Sequence, residues 1–219
     1  MKKILVLLSL LISCAAWANA KDVLQERLAK ADSFYARFEQ TVNTIDHQLI
    51  QEKEGEFWLK RPNLFYWTSY EPGSTTFISD GIDIWMHTKQ LKVMPLEQAV
   101  ENRLFDNHLL LLITDPRSHV WQDYQVKREQ NHFTLQPLDK SQQSYKISVL
   151  PTGMITDFTI IEKNGQQSIY ELYYQALGGL DNRNFHISVF VDGESYDIPV
   201  KYIDSITLSG DEEIDPDFN

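Results

Sequence analysis

The stretch Gly55–Trp67, Gly-Glu-Phe-Trp-Leu-Lys-Arg-Pro-Asn-Leu-Phe-Tyr-Trp, constrains this chain more than any other. Two aromatic, β-prone runs flank a Lys60-Arg61-Pro62-Asn63 corner, which is a β-hairpin signature with Gly55 opening the first arm. Pro62 has no N–H to give a sheet ladder and belongs in the turn. Phe65, Tyr66 and Trp67 load both faces of one short arm with large apolar area. An antiparallel sheet ordinarily leaves one face to water. Here apolar material should cover both faces, with a cation, Arg61, at the corner beside Lys60.

The rest of the chain reads as strands around this hairpin. Asp22 is placed to cap a short helix whose Val23, Leu24, Leu28 and Ala31 share a face. Phe34, Ala36, Phe38, Gln40 and Val42 then alternate with polar neighbours, the period of a strand. Asp80-Gly81 joins Thr75–Ser79 to Ile82–His87 as a second hairpin, and Lys89–Met94 adds a strand. After Pro95, Leu96–Leu104 has helical spacing, and His108–Ile113 is an apolar run read as another short helix. Strands are expected at Tyr124–Glu129, His132–Leu135, Tyr145–Val149, Met154–Ile161 and Ser168–Tyr174, separated by polar turns. A β-like tail follows at Phe185–Val191, Ile198–Ile203 and Ile206–Leu208. The sum is a mainly β chain with short helices (α+β), in which three greasy helices cover one face of a long antiparallel sheet.

Residues 1–20 read as a signal peptide: Lys2 and Lys3, the apolar Ile4–Leu11, then Ala18-Asn19-Ala20 as the cleavage site. This places the remainder, 21–219, in the periplasm as a single domain. Cys14 sits in Leu11-Ile12-Ser13-Cys14, which loosely fits a lipoprotein-processing box; cleavage at Ala20 would discard it. The chain carries 20 Lys and Arg against 31 Asp and Glu, a formal net charge of −11. Removing a leader that holds two lysines makes the rest more acidic still. Such a chain is repelled by nucleic acid phosphate and by anionic headgroups.

Catalytic constellations are missing. None of the six histidines pairs with another at ligand spacing, and no Gly-x-Ser-x-Gly elbow or Gly-rich phosphate cradle occurs. No enzymatic role, cofactor or metal is expected. What remains is an excess of aromatics, Phe34, Phe38, Phe57, Trp58, Phe65, Trp67, Trp85 and Trp121. These either pack a core or line an apolar cavity beside the greasy helices.

Several motifs resemble the LolA family of periplasmic outer-membrane lipoprotein carriers. They are Phe34-x-Ala36-x-Phe38-x-Gln40, the run from Gly55 through Lys60-Arg61-Pro62-Asn63-Leu64-Phe65-x-Trp67, Ser79-Asp80-Gly81 with Trp85, Trp121-x-x-Tyr124, and Phe133-x-Leu135-x-Pro137. The resemblance spans roughly Asp22 to Tyr174. It implies an unclosed antiparallel half-barrel with a helical lid over an apolar cavity. It implies a carrier that takes lipoproteins from an inner-membrane lipoprotein-release ABC transporter, shields their acyl chains, and passes them to an outer-membrane lipoprotein receptor of the same fold. On this reading the cavity is lined by Phe34, Phe38, Trp58, Phe65, Trp67 and Trp85 with Leu109 and Leu110 from the lid. Arg61 corresponds to the arginine that holds the empty form closed by hydrogen-bonding lid backbone, and the protein is a monomer. Two departures stand out. Asn107-His108-Leu109-Leu110 replaces the family's Thr-Pro-Phe-Met, and the tail 185–219 is longer and different. The same fold also serves an outer-membrane-anchored acceptor, if Cys14 is acylated, or a lipid-sensing regulatory module.

Overall fold

The computed structural model describes residues 19–70, 74–87, 91–96, 98, 108–179, 186–191 and 194–199. The expected leader up to residue 18, nearly all of the Leu96–Leu104 helix, and the chain beyond 199 lie outside them.

Eleven strands form one antiparallel sheet: β1 (Ser33–Asn43), β2 (Leu49–Lys60), β3 (Leu64–Ser69), β4 (Thr75–Asp80), β5 (Asp83–His87), β6 (Leu91–Pro95), β7 (Tyr124–Glu129), β8 (His132–Pro137), β9 (Ser144–Val149), β10 (Ile155–Ile161) and β11 (Gln167–Leu177). Their order is β6-β5-β4-β3-β2-β1-β11-β10-β9-β8-β7, so among the described residues β6 and β7 are the edge strands and the sheet does not close into a barrel. Each neighbour is also next in sequence except where β1 meets β11, which joins two meanders into one surface. A separate ladder pairs β12 (His186–Val191) with β13 (Glu194–Pro199). The expected tail strand at Ile198–Ile203 thus begins earlier, at Glu194, within the described residues.

Two helices, α1 (Ala20–Leu28) and α2 (His108–Thr114), contribute Leu24, Leu28 and the run Leu109–Ile113 to the same buried cluster as Phe34, Phe38, Phe57, Phe65 and Trp67. They therefore cover one face of the sheet. Asn19, not Asp22, caps α1: its side chain accepts from the Lys21 amide at 3.2 Å. Asp22 instead sits in the first turn, where a carboxylate complements the positive end of the helix dipole.

Gly55 does not open its strand but lies in the middle of β2, directly opposite Phe38 of β1. A Cβ there would run into the Phe38 ring and the Thr68 carbonyl oxygen. Glycine lets the Phe38 ring lie across β2 and stack on Trp67 at 4.5 Å. Gly55→Ala is expected to lower stability by roughly 1–3 kcal/mol through that overpacking. Thermal unfolding measures it, and an unchanged midpoint would show the ring free to move aside.

Candidate functional site

The three-residue turn Arg61-Pro62-Asn63 sets the register of β2 and β3, with Lys60 opposite Leu64, Trp58 opposite Tyr66, and Phe57 opposite Trp67. Asn63 takes the left-handed conformation, φ +58°, that asparagine tolerates and tight turns need. Alternation then sorts the aromatics. Phe57, Phe65 and Trp67 face the helices with Phe34 and Phe38. Trp58, Tyr66, Ile78 and Trp85 pack together on the opposite face. The helix-covered face of β3 thus buries Phe65 and Trp67, while on the other face Leu64 and Tyr66 are half-buried beside Ile78 and Trp85.

Trp67 is the hub of the helix-covered face. Its ring lies 4.5 Å from Phe38, 5.3 Å from Phe57, 5.4 Å from Tyr170 and 6.3 Å from Phe158. Phe34 meets Phe57 at 5.3 Å, and Phe158 stacks on Tyr170 at 4.5 Å. Leu109 and Leu110 belong to the same cluster. Six of the eight residues expected to line a cavity are therefore together: Phe34, Phe38, Phe65, Trp67, Leu109 and Leu110. Trp58 and Trp85 are not among them. Each points away from the helices, Trp85 with only 2% of its surface exposed, because it is one step out of phase with the core residue beside it, Phe57 or Ile84. Phe158 and Tyr170 are members that the sequence reading passed over. Their period-two strands, with Phe158 and Ile160 on β10 and Tyr170 and Leu172 on β11, carried the signal.

Arg61 joins the helices to this face. Its Nε donates to the Ala31 carbonyl at 2.8 Å, and Nη1 donates to the carbonyls of Ile113 and, at 2.9 Å, Thr114. Nη2 donates to the carbonyl of Leu28. One planar guanidinium thus engages the C-terminal carbonyls of both α1 and α2, groups that helix geometry leaves without intrahelical partners. Those ends also carry the negative pole of each helix dipole. The Arg61 amide is fixed as well, donating to the Asp32 carbonyl at 2.8 Å. Burial pulls the Arg61 pKa down to about 10, while Asp115 and Asp32 pull it back up. The group stays cationic at neutral pH.

The two helices are held differently. Arg27 of α1 is buried, donates to the Asn131 side chain at 2.8 Å and the Val149 carbonyl at 2.5 Å, and stands 5.4 Å over the Phe133 ring. Lys30 reaches the Pro151 carbonyl at 2.7 Å. α1 is thereby moored to the β8–β9 end of the sheet. The run Leu109–Thr114 of α2 is entirely buried yet offers mostly aliphatic side chains, so its polar attachment there runs through backbone carbonyls. Among the described residues no group of three or more His, Cys, Asp or Glu is arranged to hold a metal, and no helix is long and apolar enough to cross a membrane.

Comparison with known proteins agrees with the motifs. The profile of the family described as "Outer membrane lipoprotein carrier protein LolA" matches residues 29–188. An outer-membrane lipoprotein carrier protein of Yersinia pestis bv. Antiqua (strain Angola) is 39% identical over 193 residues, covering 84% of this chain and 93% of that one. Its counterpart in Yersinia enterocolitica serotype O:8 / biotype 1B (strain NCTC 13174 / 8081) is 39% identical over 197 residues, covering 86% and 95%. Among solved structures, the LolA superfamily protein NE2245 from Nitrosomonas europaea aligns over 74% of this chain and 96% of its own at 16% identity, with a TM-score of 0.42. The family profile and the relatives at 39% identity are enough: the chain belongs to the LolA family of outer-membrane lipoprotein carriers.

Proposed function

We propose that this carrier holds lipoprotein acyl chains between the helices and the aromatic face around Trp67, and that Arg61 is the latch that opens and closes the site. Lipoprotein carriage and a periplasmic setting go with the family, and they favour the carrier over the anchored acceptor and the sensor. The observation that carries the mechanism is the Arg61 guanidinium on carbonyls of two helices at once. With the latch shut, side chains from sheet and helices fill the space between them, so cargo enters only as the two part.

Magnitudes fit that mechanism. Burying a CH₂ yields about 0.8 kcal/mol, so one long acyl chain yields ~10 kcal/mol. A carrier binding that tightly would not deliver. Hydrogen bonds from a charged group contribute roughly 1.5–3 kcal/mol each, and breaking them on opening offsets part of the gain. The site binds and releases and performs no bond chemistry. Its donor is an inner-membrane ABC transporter and its acceptor an outer-membrane receptor, which the protein meets as a monomer of one domain, 21–219.

A photoreactive residue replacing Leu110 is expected to crosslink to the acyl chains of a synthetic triacylated lipopeptide. The same residue at Trp58 or Trp85, on the other face, is expected not to. Equal labelling from both faces, or equal competition by the deacylated peptide, overturns the assignment.

A further inference from the structure

The outer face of β1, β2, β3 and β11 carries an aromatic cluster that the acyl-chain site does not use. Arg37 of β1 is its centre, opposite Glu56 of β2 and Tyr173 of β11. The Arg37 guanidinium lies 5.9 Å from the centre of the Tyr174 ring, and Tyr174 meets Tyr173 at 5.3 Å. On the other side, Tyr35 donates to a Glu56 carboxylate oxygen at 3.0 Å and sets its ring edge-on to Trp58 at 5.3 Å. Tyr70, itself exposed, donates its amide to the Glu54 carbonyl at 2.8 Å and lies within the field of Glu56 and Arg37.

Two features of this face work against the stability of the fold. Tyr174 has φ +46°, a left-handed conformation costing a residue with a Cβ roughly 1–2 kcal/mol. It occupies a bulge: Tyr35 pairs with Ala176 and Arg37 with Tyr173, leaving one residue between on β1 and two on β11. Bulges re-aim side chains, and this one leaves Tyr174 75% exposed. Glycine or asparagine would make the same bulge with less strain. The second feature is a row of carboxylates. Glu54, Glu39 and Glu171 stand directly opposite one another on adjacent strands β2, β1 and β11, and like charges so placed are destabilising.

We propose that this face is a docking surface for a protein segment that presents arginines. Tyrosine, tryptophan and arginine are the residues that concentrate binding energy in interfaces. A guanidinium satisfies both halves of the surface, stacking on the tyrosine rings and forking onto the carboxylates. Anionic lipid headgroups would meet the glutamate row with like charge, and so would a second copy of the chain. The surface lies opposite the helices, so a partner docks while cargo is held, and the inference stands apart from the acyl-chain reading.

Isothermal titration of the protein with an octapeptide of alternating Arg and Gly tests this, with Lys-Gly and Glu-Gly octapeptides alongside. The Arg peptide is expected to bind about fivefold tighter than the Lys peptide, and Tyr174→Gly and Tyr70→Ser each to weaken it several-fold. Combined Glu39→Gln, Glu54→Gln and Glu171→Gln is expected to abolish it. Removing the same charge elsewhere, by Glu26→Gln, Asp123→Asn and Glu129→Gln, is expected to leave most of it. Tyr174→Gly relieves strain, so its unfolding midpoint should hold or rise, which keeps that result readable. The proposal falls if the two charge-removing triples weaken binding equally, or if the tyrosine variants bind like the parent. It also falls if the face instead mediates a dimer or adsorption to phosphatidylglycerol vesicles that the same variants abolish.

Discussion

Arg61→Leu should bind an apolar fluorescent probe about tenfold to a hundredfold more tightly than the parent and, with no latch to reclose against the bound probe, release it more slowly. The substitution removes donors to four carbonyls, three of them at the ends of two helices. The gross loss is several charged hydrogen bonds at roughly 1.5–3 kcal/mol each. Against it stands relief from burying the cation, the desolvation that lowers the Arg61 pKa. A net shift of about 1.5–3 kcal/mol toward the open form converts to the factors given. Affinity rises because a closed molecule binds only through its open fraction.

The opening should be lopsided. α1 keeps its moorings through Arg27 and Lys30, so hydrogen exchange should speed up at 109–114 far more than at 20–28. Arg61→Lys should fall in between, since an ammonium offers three donors from one point and cannot span both helix ends as the fork does. Latch strength should also be flat from about pH 6 to 8, because a group with its pKa near 10 does not change charge there. If Arg61→Leu leaves affinity and release untouched, Arg61 merely satisfies helix carbonyls and the latch is wrong.

The sequence showed which segments are strands more readily than which residues meet. Period-two alternation located β1 and β7 to β11 within a few residues, and Asp80-Gly81 marked its hairpin, because both signals are local. The two-sided apolar load of β3 was legible for the same reason. Sidedness across strands was not. Whether Trp58 joins Phe65 and Trp67 or opposes them depends on the register between β2 and β3. That register is fixed by a three-residue turn whose length composition does not give, and a slip of one residue exchanges the faces. The partners of Arg61 are 30 to 53 positions away along the chain, so its role came from family resemblance. Tyr174 was hidden in an apparently regular strand, because a bulge interrupts the period that reveals strands.

The sorting of aromatics by face yields the second large effect. Trp67→Ala removes the ring that touches Phe38, Phe57, Phe158 and Tyr170, in a setting where rigid strands on either side limit collapse. A tryptophan lost from such a core costs about 3–5 kcal/mol. In a domain of this size each kcal/mol moves the midpoint by ~2–4 °C, so Tm should drop by ~6–20 °C. Trp58→Ala removes a ring of the same size, but Trp58 is only partly buried, and its ring contacts among the described residues include Tyr35 and Tyr66 rather than the four of Trp67. Its loss should be well under half as large and should leave probe affinity unchanged. The void left by Trp67 is apolar and lies beneath the helices, so free indole should bind there and recover part of the lost Tm, as small apolar ligands do in engineered core cavities. Recovery in the Trp67 variant with none in the Trp58 variant would place the ligand-accepting space on the helix-covered side of the sheet. Recovery in both, or equal losses of stability and probe binding, would mean that the two faces are not functionally distinct.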